Sequence, residues 1–189
     1  MSLQQQVLED RVASYARLRG GYSVPVAGAV YWAALGAAGY VLPERQWILA
    51  AFYTSGLIFP LALLLSKLLR NDFMKDRTAT GTVLGPAFVG MLLFWPMAFA
   101  AFGAAPALVS LILAIGMSMH WPVIGWSYGR PLIYSAHAVV RAIAVLAIWA
   151  LYPEHRQTWL PFAVAITYVV TIAAILIDSA GVRRRLGMA

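Results

Sequence analysis

The chain has no cysteine, which removes disulfides, thiolate metal sites and cysteine nucleophiles together. Charge is nearly as scarce, at 11% of 189 residues, against about 25% in ordinary soluble domains. Acids are the rarer sign, with seven Asp and Glu against fourteen Lys and Arg. None of the seven falls deep in an apolar run: Asp72 and Asp178 border such runs, and Glu44 and Glu154 lie in turns. An Asp-rich magnesium site and a carboxylate-oriented catalytic histidine therefore have no residues to build them. An enzyme is the weaker class for this chain, and no cofactor is expected. No cleavable signal is expected within the first 22 residues, which lack an n-region and h-region. The first apolar run is expected to stay in the protein as its own insertion signal.

What the chain has is hydrophobic residue, 62% of the whole, gathered into runs of bilayer-crossing length. Six spans can be drawn, at about 23–42, 47–69, 82–102, 106–128, 131–152 and 159–178. The turns after the first, third and fifth are short: PERQ at 43–46, GAA at 103–105 and PEHRQT at 153–158. Pro43, Pro106 and Pro153 punctuate them, where a missing N–H is tolerated. The linker RNDFMKDRTATG at 70–81 is longer and basic. Arg11, Arg17, Arg19, Lys67, Arg70, Lys75, Arg77, Arg130 and Arg183–Arg185 then fall on one side, against Arg45 and Arg156 on the other. The positive-inside rule places that richer side, with both termini, in the cytoplasm. The net charge of +7 is accordingly read as topology and not as affinity for nucleic acid.

The expected fold is all-α: a polytopic bundle of six transmembrane helices, N-in and C-in. It divides into a cytoplasmic amphipathic segment (1–22), a membrane domain (23–178) and a basic tail (179–189). In the first part, Leu3, Val7, Val12 and Tyr15 approximate an apolar stripe opposite Gln, Glu and Arg, suited to the membrane surface. Gly20 and Gly21 are expected to end that helix. Trp47 and Trp159 open the second and sixth spans, where indoles anchor at headgroup level. LPERQWILA at 42–50 and YPEHRQTWLP at 152–161 echo one another; a duplicated hairpin and convergent turn chemistry both account for this.

Small residues recur where helices must approach closely: Ala29, Ala33 and Ala37 in the first span, Gly81 and Gly85 at the third. Such faces pack helices within one protomer or between two copies of the chain, so a homo-oligomer is an admissible partner state. Pro60, Pro96 and Pro122 fall inside the second, third and fourth spans, and Pro161 near the start of the sixth. Each removes a helical hydrogen bond and frees a carbonyl, which must find a partner or line a wet cavity. Discontinuous helices at one depth are a feature of transport sites.

The residue least at home is Arg141, near the middle of the fifth span. A cation there costs from about 3 to more than 10 kcal/mol. Eleven residues at ~1.5 Å each put it roughly 16 Å from Arg130, beyond easy snorkelling. Arg130, Tyr134, His137 and Arg141 follow at i, i+4, i+7 and i+11, one polar helical face. Val139, Val140, Ile143 and Leu146 make the other face apolar. The preceding span, GMSMHWPVIGWSYGR at 116–130, brings His120, Trp121 and Trp126 to the same helical pair. With no carboxylate within the membrane, Arg141 must take backbone carbonyls, hydroxyls such as Tyr134, water or an anion. Three readings stay open: a structural arginine bridging freed carbonyls, a site for an anionic solute or lipid phosphate, and a proton or cation path. Haem between His120 and His137 is conceivable, though hydrogen-bonded histidines explain the pair more simply.

FPLALLLSKLLRNDF at 59–73 and MHWPVIGWSYG at 119–129 carry a mid-span proline, a Ser-Lys pair, an Asn-Asp-Phe loop entry and an H-x-P…W-x-Y pattern. Over roughly 45–135 the chain resembles an uncharacterised family of small bacterial multi-span membrane proteins. The resemblance implies a bacterial cytoplasmic membrane and assigns no activity. The residues themselves point to a small transporter or binding protein for an anionic or amphiphilic solute. The lipid bilayer is its surrounding partner, and the candidate ligand contacts are Arg141, His137, Tyr134, Arg130, His120, Trp121 and Trp126. The alternative is a scaffold subunit of a membrane complex without catalysis.

Overall fold

A computed structural model describes residues 1–71 and 73–188, and Asp72 lies outside the described residues. Ten α-helices follow in order: α1 (Leu3–Arg17), α2 (Ser23–Ala38), α3 (Glu44–Thr54), α4 (Ile58–Leu68) and α5 (Leu84–Leu92), then α6 (Trp95–Ala104), α7 (Val109–Gly116), α8 (Trp121–Ser127), α9 (Pro131–Leu151) and α10 (Trp159–Arg185). The described residues contain no strand. Five helical stretches are long and apolar enough to cross a membrane, the pattern of a multi-pass membrane protein: Glu44–Leu68, Gly81–Ala104, Pro106–Ser127, Pro131–Leu151 and Trp159–Arg185. The segment expected as the first span forms α2, whose 16 residues make about 24 Å of helix, shorter than any of those five.

Proline decides which of these helices are continuous. A proline at position i removes a hydrogen bond to residue i−4 and crowds its carbonyl. The second span breaks into a 3₁₀ turn at Ser55–Leu57, just ahead of Pro60. The third breaks after Leu92, four residues before Pro96, and the fourth breaks between Gly116 and Trp121, ahead of Pro122. Pro131 and Pro161 sit in the first turns of α9 and α10, where the lost N–H had no helical partner anyway. Those two helices run unbroken for 21 and 27 residues. α10 passes straight through the expected boundary at 178.

α2 occupies the centre, packed on α4 and α10, while α9 lies against α7, α8 and α10. Its close-packing face differs from the expected Ala29–Ala33–Ala37 row. Ala37 is exposed, whereas Gly28 and Gly36 are buried. A Cβ on Gly28 would sit 2.6 Å from the Tyr168 ring, and one on Gly36 3.0 Å from the Phe162 ring. α10 therefore seats its aromatics in α2's glycine notches. The Gly81–Gly85 pair seats no helix inside the protomer: a Cβ at Gly81 would meet only the Thr78 hydroxyl at 3.3 Å, and one at Gly85 no described heavy atom within 4 Å. Val139, Val140, Ile143 and Leu146 on α9 face outward, as the sequence pattern requires.

The two ends of the bundle are built differently. At one end α1 is capped by Ser2 and Gln5 in a reciprocal box and closes against the 70–81 linker. Asp76 receives Ser14 and Arg17, and Asp10 accepts from the Ala79 N–H. Asn71 donates to the Leu18 carbonyl, and Arg183 to that of Ala16 at 3.3 Å. α1 thus docks on protein at its C-terminal turns, where Ser14, Tyr15 and Ala16 are buried, and exposes Leu3 and Leu8. At the opposite end Trp149 donates to the Ala107 carbonyl and Arg156 to that of Trp149. Trp47 departs from the expected interfacial anchor. It is fully buried and donates to the Leu35 carbonyl at 2.8 Å, whereas Trp159 stacks on His155 and stays part-exposed. The two echoing turns therefore use their tryptophans in opposite ways.

Arg19, Gly20 and Gly21 all have positive φ, with Gly20 at +68°. A Cβ on Gly20 would meet Ile175 at 2.3 Å and the Tyr15 ring at 2.8 Å. Gly20→Ala combines left-handed strain with overpacking and is expected to cost at least about 2 kcal/mol. Gly85→Ala, in open space on a helix, should be neutral or gain up to about 1 kcal/mol. Thermal unfolding in detergent checks both; equal melting of the two variants would refute this packing scheme.

Candidate functional site

The site is assembled on α9, α10, α2 and the α7–α8 break. α9 carries Tyr134, His137 and Arg141 inward on one face, all three buried. α10 answers with Tyr168 and Thr171, three apart and both buried. α2 supplies Trp32, which follows Gly28 by one turn, so the notch that seats Tyr168 also sets the indole beside it. The break after Gly116 lets the chain turn at His120 and start α8 with Trp121.

Arg141 is completely enclosed. Its Nη1 donates to the Tyr168 hydroxyl at 3.1 Å, while Nε and Nη2 have no partner among the described residues. The guanidinium carbon lies 5.0 Å from the Trp32 ring centre and 5.4 Å from that of Tyr168. Desolvated cation–π contacts are worth about 2 kcal/mol each, so the aromatics offset part of the burial cost. They leave hydrogen-bonding capacity unused: the Trp32 indole N–H is buried and unpartnered as well.

His137 stacks on Trp121 with ring centres 3.9 Å apart and lies 4.7 Å from Tyr168. Its Nδ1 is 2.8 Å from the Thr171 hydroxyl oxygen. That hydroxyl spends its own proton on the Thr167 carbonyl, so its oxygen can only accept, and Nδ1 carries hydrogen. Nε2, buried and without a partner among the described residues, is then a free acceptor on the neutral ring. His120 packs on Phe88 at 4.7 Å with its Nδ1 unpartnered, within electrostatic reach of Arg141 and His137. Arg141, His137 and Trp121 are thus brought together around the Tyr168 ring, and His120 stands behind Trp121, their ring centres 6.4 Å apart.

Three of the expected contacts go elsewhere. Tyr134 touches Trp121, but its hydroxyl donates to the Gly20 carbonyl at 2.6 Å. Arg130 pairs with Asp178 at 2.8 Å and lies over the Tyr15 ring. Burial there, helped by Asp178, pushes the Tyr15 phenol well above its ordinary value, so it remains a protonated donor, to the Ile175 carbonyl at 3.3 Å. Trp126 is 42% exposed and held from outside, its ring under Arg11 and its carbonyl accepting from the same arginine. Trp32, Tyr168 and Thr171 complete the site without having been expected there. Trp32 had a signal, a tryptophan placed mid-span and not at an interface. Tyr168 and Thr171 had a weaker one, polar residues at helical spacing in an otherwise apolar run.

Chemically the arrangement is a buried cation with surplus donors, one free imidazole acceptor and aromatic walls. Among the described residues no three of His, Asp or Glu gather as metal ligands. No curated protein and no solved structure matches the chain. One sequence family does: its profile aligns with residues 9–178, and the chain belongs to this family of unknown function, DUF7010.

Proposed function

We propose that the chain is a six-span protein of a bacterial cytoplasmic membrane that binds and moves an anionic or amphiphilic solute at Arg141. The observation that carries this reading is a wholly enclosed guanidinium with one side-chain hydrogen bond and two unpartnered nitrogens. Donors that a protein fold leaves unspent at such depth are suited to an anion's oxygens. His137 Nε2 adds an acceptor for the proton of a weak acid, so a monoprotonated anion is the species that uses both. The helix breaks ahead of Pro60, Pro96 and Pro122 favour a hydrated route to that depth.

The six-span count draws on α2. It starts beside the α1 end and finishes where a Cβ on Gly39 would touch the Gln157 carbonyl, at the opposite end. Its 16 residues with flanking turns are enough for a thinned or snorkelled crossing. The orientation draws on charge, since the end holding α1, the 70–81 linker and the α10 tail carries the basic excess. A C-terminal reporter is expected to be active only on the cytoplasmic side. Activity outside would overturn the topology and with it the route proposed.

A scaffold role has one observation in its favour. A cavity of about 320 Å³ on the outer face, lined by Leu49, Phe52, Tyr53, Trp95 and Phe99, has the aromatic character of a helix-docking surface. Stoichiometric co-purification of a second membrane protein would favour that role.

The site itself is tested in proteoliposomes with chloride, nitrate, acetate, benzoate and hydrogen phosphate as probes. Flux of at least one is expected, abolished in Arg141→Met. Arg141→Lys should cut it at least about tenfold, because a point charge loses planar recognition. A folded Arg141→Met protein that moves each probe like the parent makes the arginine structural and ends the proposal.

Tyr168→Phe keeps the ring over Arg141 and deletes its one hydrogen bond. It should lower stability by about 1.5–3 kcal/mol, read as a lower melting temperature, while keeping more flux than Arg141→Met. Unchanged melting would show that the hydroxyl does not hold the guanidinium.

A further inference from the structure

A second basic feature lies far from Arg141, where the last turns of α10 meet the bend after α1. A groove of about 330 Å³ opens there, lined by Arg19, Leu176, Ser179, Ala180, Arg183 and Arg184. Leu176, Ala180, Arg183 and Arg184 follow at i, i+4, i+7 and i+8, one face of the helix. Over ~12 Å of rise that face changes from an exposed leucine, next to outward-facing Ile177, to two arginines. Such a gradient matches the boundary between acyl chains and headgroups.

The third arginine is placed by the backbone. Arg19 has φ +47° and stands between two pinned carbonyls, with Leu18 accepting from Asn71 and Gly20 from Tyr134. Among the described residues no acid pairs with these cations. Asp178, the nearest acid along α10, is committed to Arg130. Arg183 spends Nη1 on the Ala16 carbonyl. Among the described residues, the side chains of Arg19 and Arg184 form neither a hydrogen bond nor an ion pair.

We propose that this groove binds the phosphate of an anionic phospholipid, with Arg19, Arg183 and Arg184 around the headgroup and an acyl chain along Leu176. Guanidinium forks match phosphate oxygens geometrically, and each basic residue near a charged leaflet adds about 1 kcal/mol of attraction. The open apolar side favours a lipid over free phosphate, which has nothing to lay along Leu176. This site rests on α10 crossing the bilayer and is independent of any ligand at Arg141.

The test uses the full chain purified in a nonionic detergent. Binding of dioctanoyl phosphatidylglycerol, dioctanoyl phosphatidylcholine and inorganic phosphate is followed by intact-complex mass spectrometry and thermal unfolding. The parent should bind phosphatidylglycerol, and do so more weakly as salt rises. Arg19→Asn suits the left-handed backbone, and Arg184→Gln removes an unbonded cation, so neither should disturb the fold. Each should weaken phosphatidylglycerol binding about fivefold, and the pair about twenty-five-fold. Arg141→Met should bind it like the parent, which separates this site from the deep one. Equal binding of phosphatidylglycerol and phosphatidylcholine by the parent, a measurement that needs no variant, overturns the proposal. So does undiminished binding by the double variant, and so does inorganic phosphate competing as well as the lipid.

Discussion

A guanidinium sealed inside an apolar bundle imposes conditions on every helix around it. Arg141 cannot reach either end of α9, so its surroundings must come from neighbouring helices. α10 brings a hydroxyl and a ring face in one residue, Tyr168. For that ring to fit, α2 must present no side chain at Gly28, and one turn later it presents Trp32 as the second face. The same ring then borders His137, and His137 stacks on Trp121. A single charge thus dictates a glycine, three aromatics and a histidine on four different helices. This is why half of the residues of α2 are buried.

Broken and continuous helices divide the work. α9 and α10 hold the polar faces that must keep register over many turns, and their prolines are confined to first turns where they do no damage. The stretches carrying Pro60, Pro96 and Pro122 are interrupted instead. The break before Pro122 has a direct consequence for the site, because it turns the chain at His120 and lets Trp121 face α9. A regular helix from Val109 to Ser127 would have set His120 and Trp121 by α7's register, and the stack on His137 would not follow from it.

Much of this was legible in the chain, and the misses have physical reasons. Helix type and approximate span limits follow from hydrophobic run length, which solvent alone enforces. The stripe from Tyr134 to Arg141 follows from the 3.6-residue period of one helix. Which helix faces that stripe does not, because partner choice depends on shape. The place of Tyr168 is set by a notch at Gly28, on a helix 140 residues earlier, which local spacing cannot reveal. The alanine row in α2 misled for the same reason: spacing reveals a smooth face, but only a bulky partner such as Tyr168 or Phe162 selects which one is used. Trp126 and Arg130 lie near Arg141 in sequence, yet Arg11 of α1 holds the first and Asp178 the second. Trp47 fits an interfacial position by number and is claimed by the Leu35 carbonyl instead.

The scarcity of acids links these local choices. Asp10, Asp76 and Asp178 each act at the α1 end, on the Ala79 N–H, on Ser14 and Arg17, and on Arg130. Those contacts fasten α1 to the linker and α9 to α10 without placing a carboxylate in the apolar interior, where its own desolvation would be prohibitive unless paired. Carboxylates spent at the rim are unavailable to Arg141 in the core and to Arg19, Arg183 and Arg184 in the groove. Two sets of uncompensated cations follow from one economy, one deep and enclosed by aromatics, the other at the surface beside an apolar wall. On the two proposals above, their surroundings would select different anions. The deep set couples a guanidinium to a neutral imidazole and suits a small species that can shed or keep a proton. The surface set offers three guanidiniums and an open side, and suits a phosphodiester that is already anchored in the bilayer.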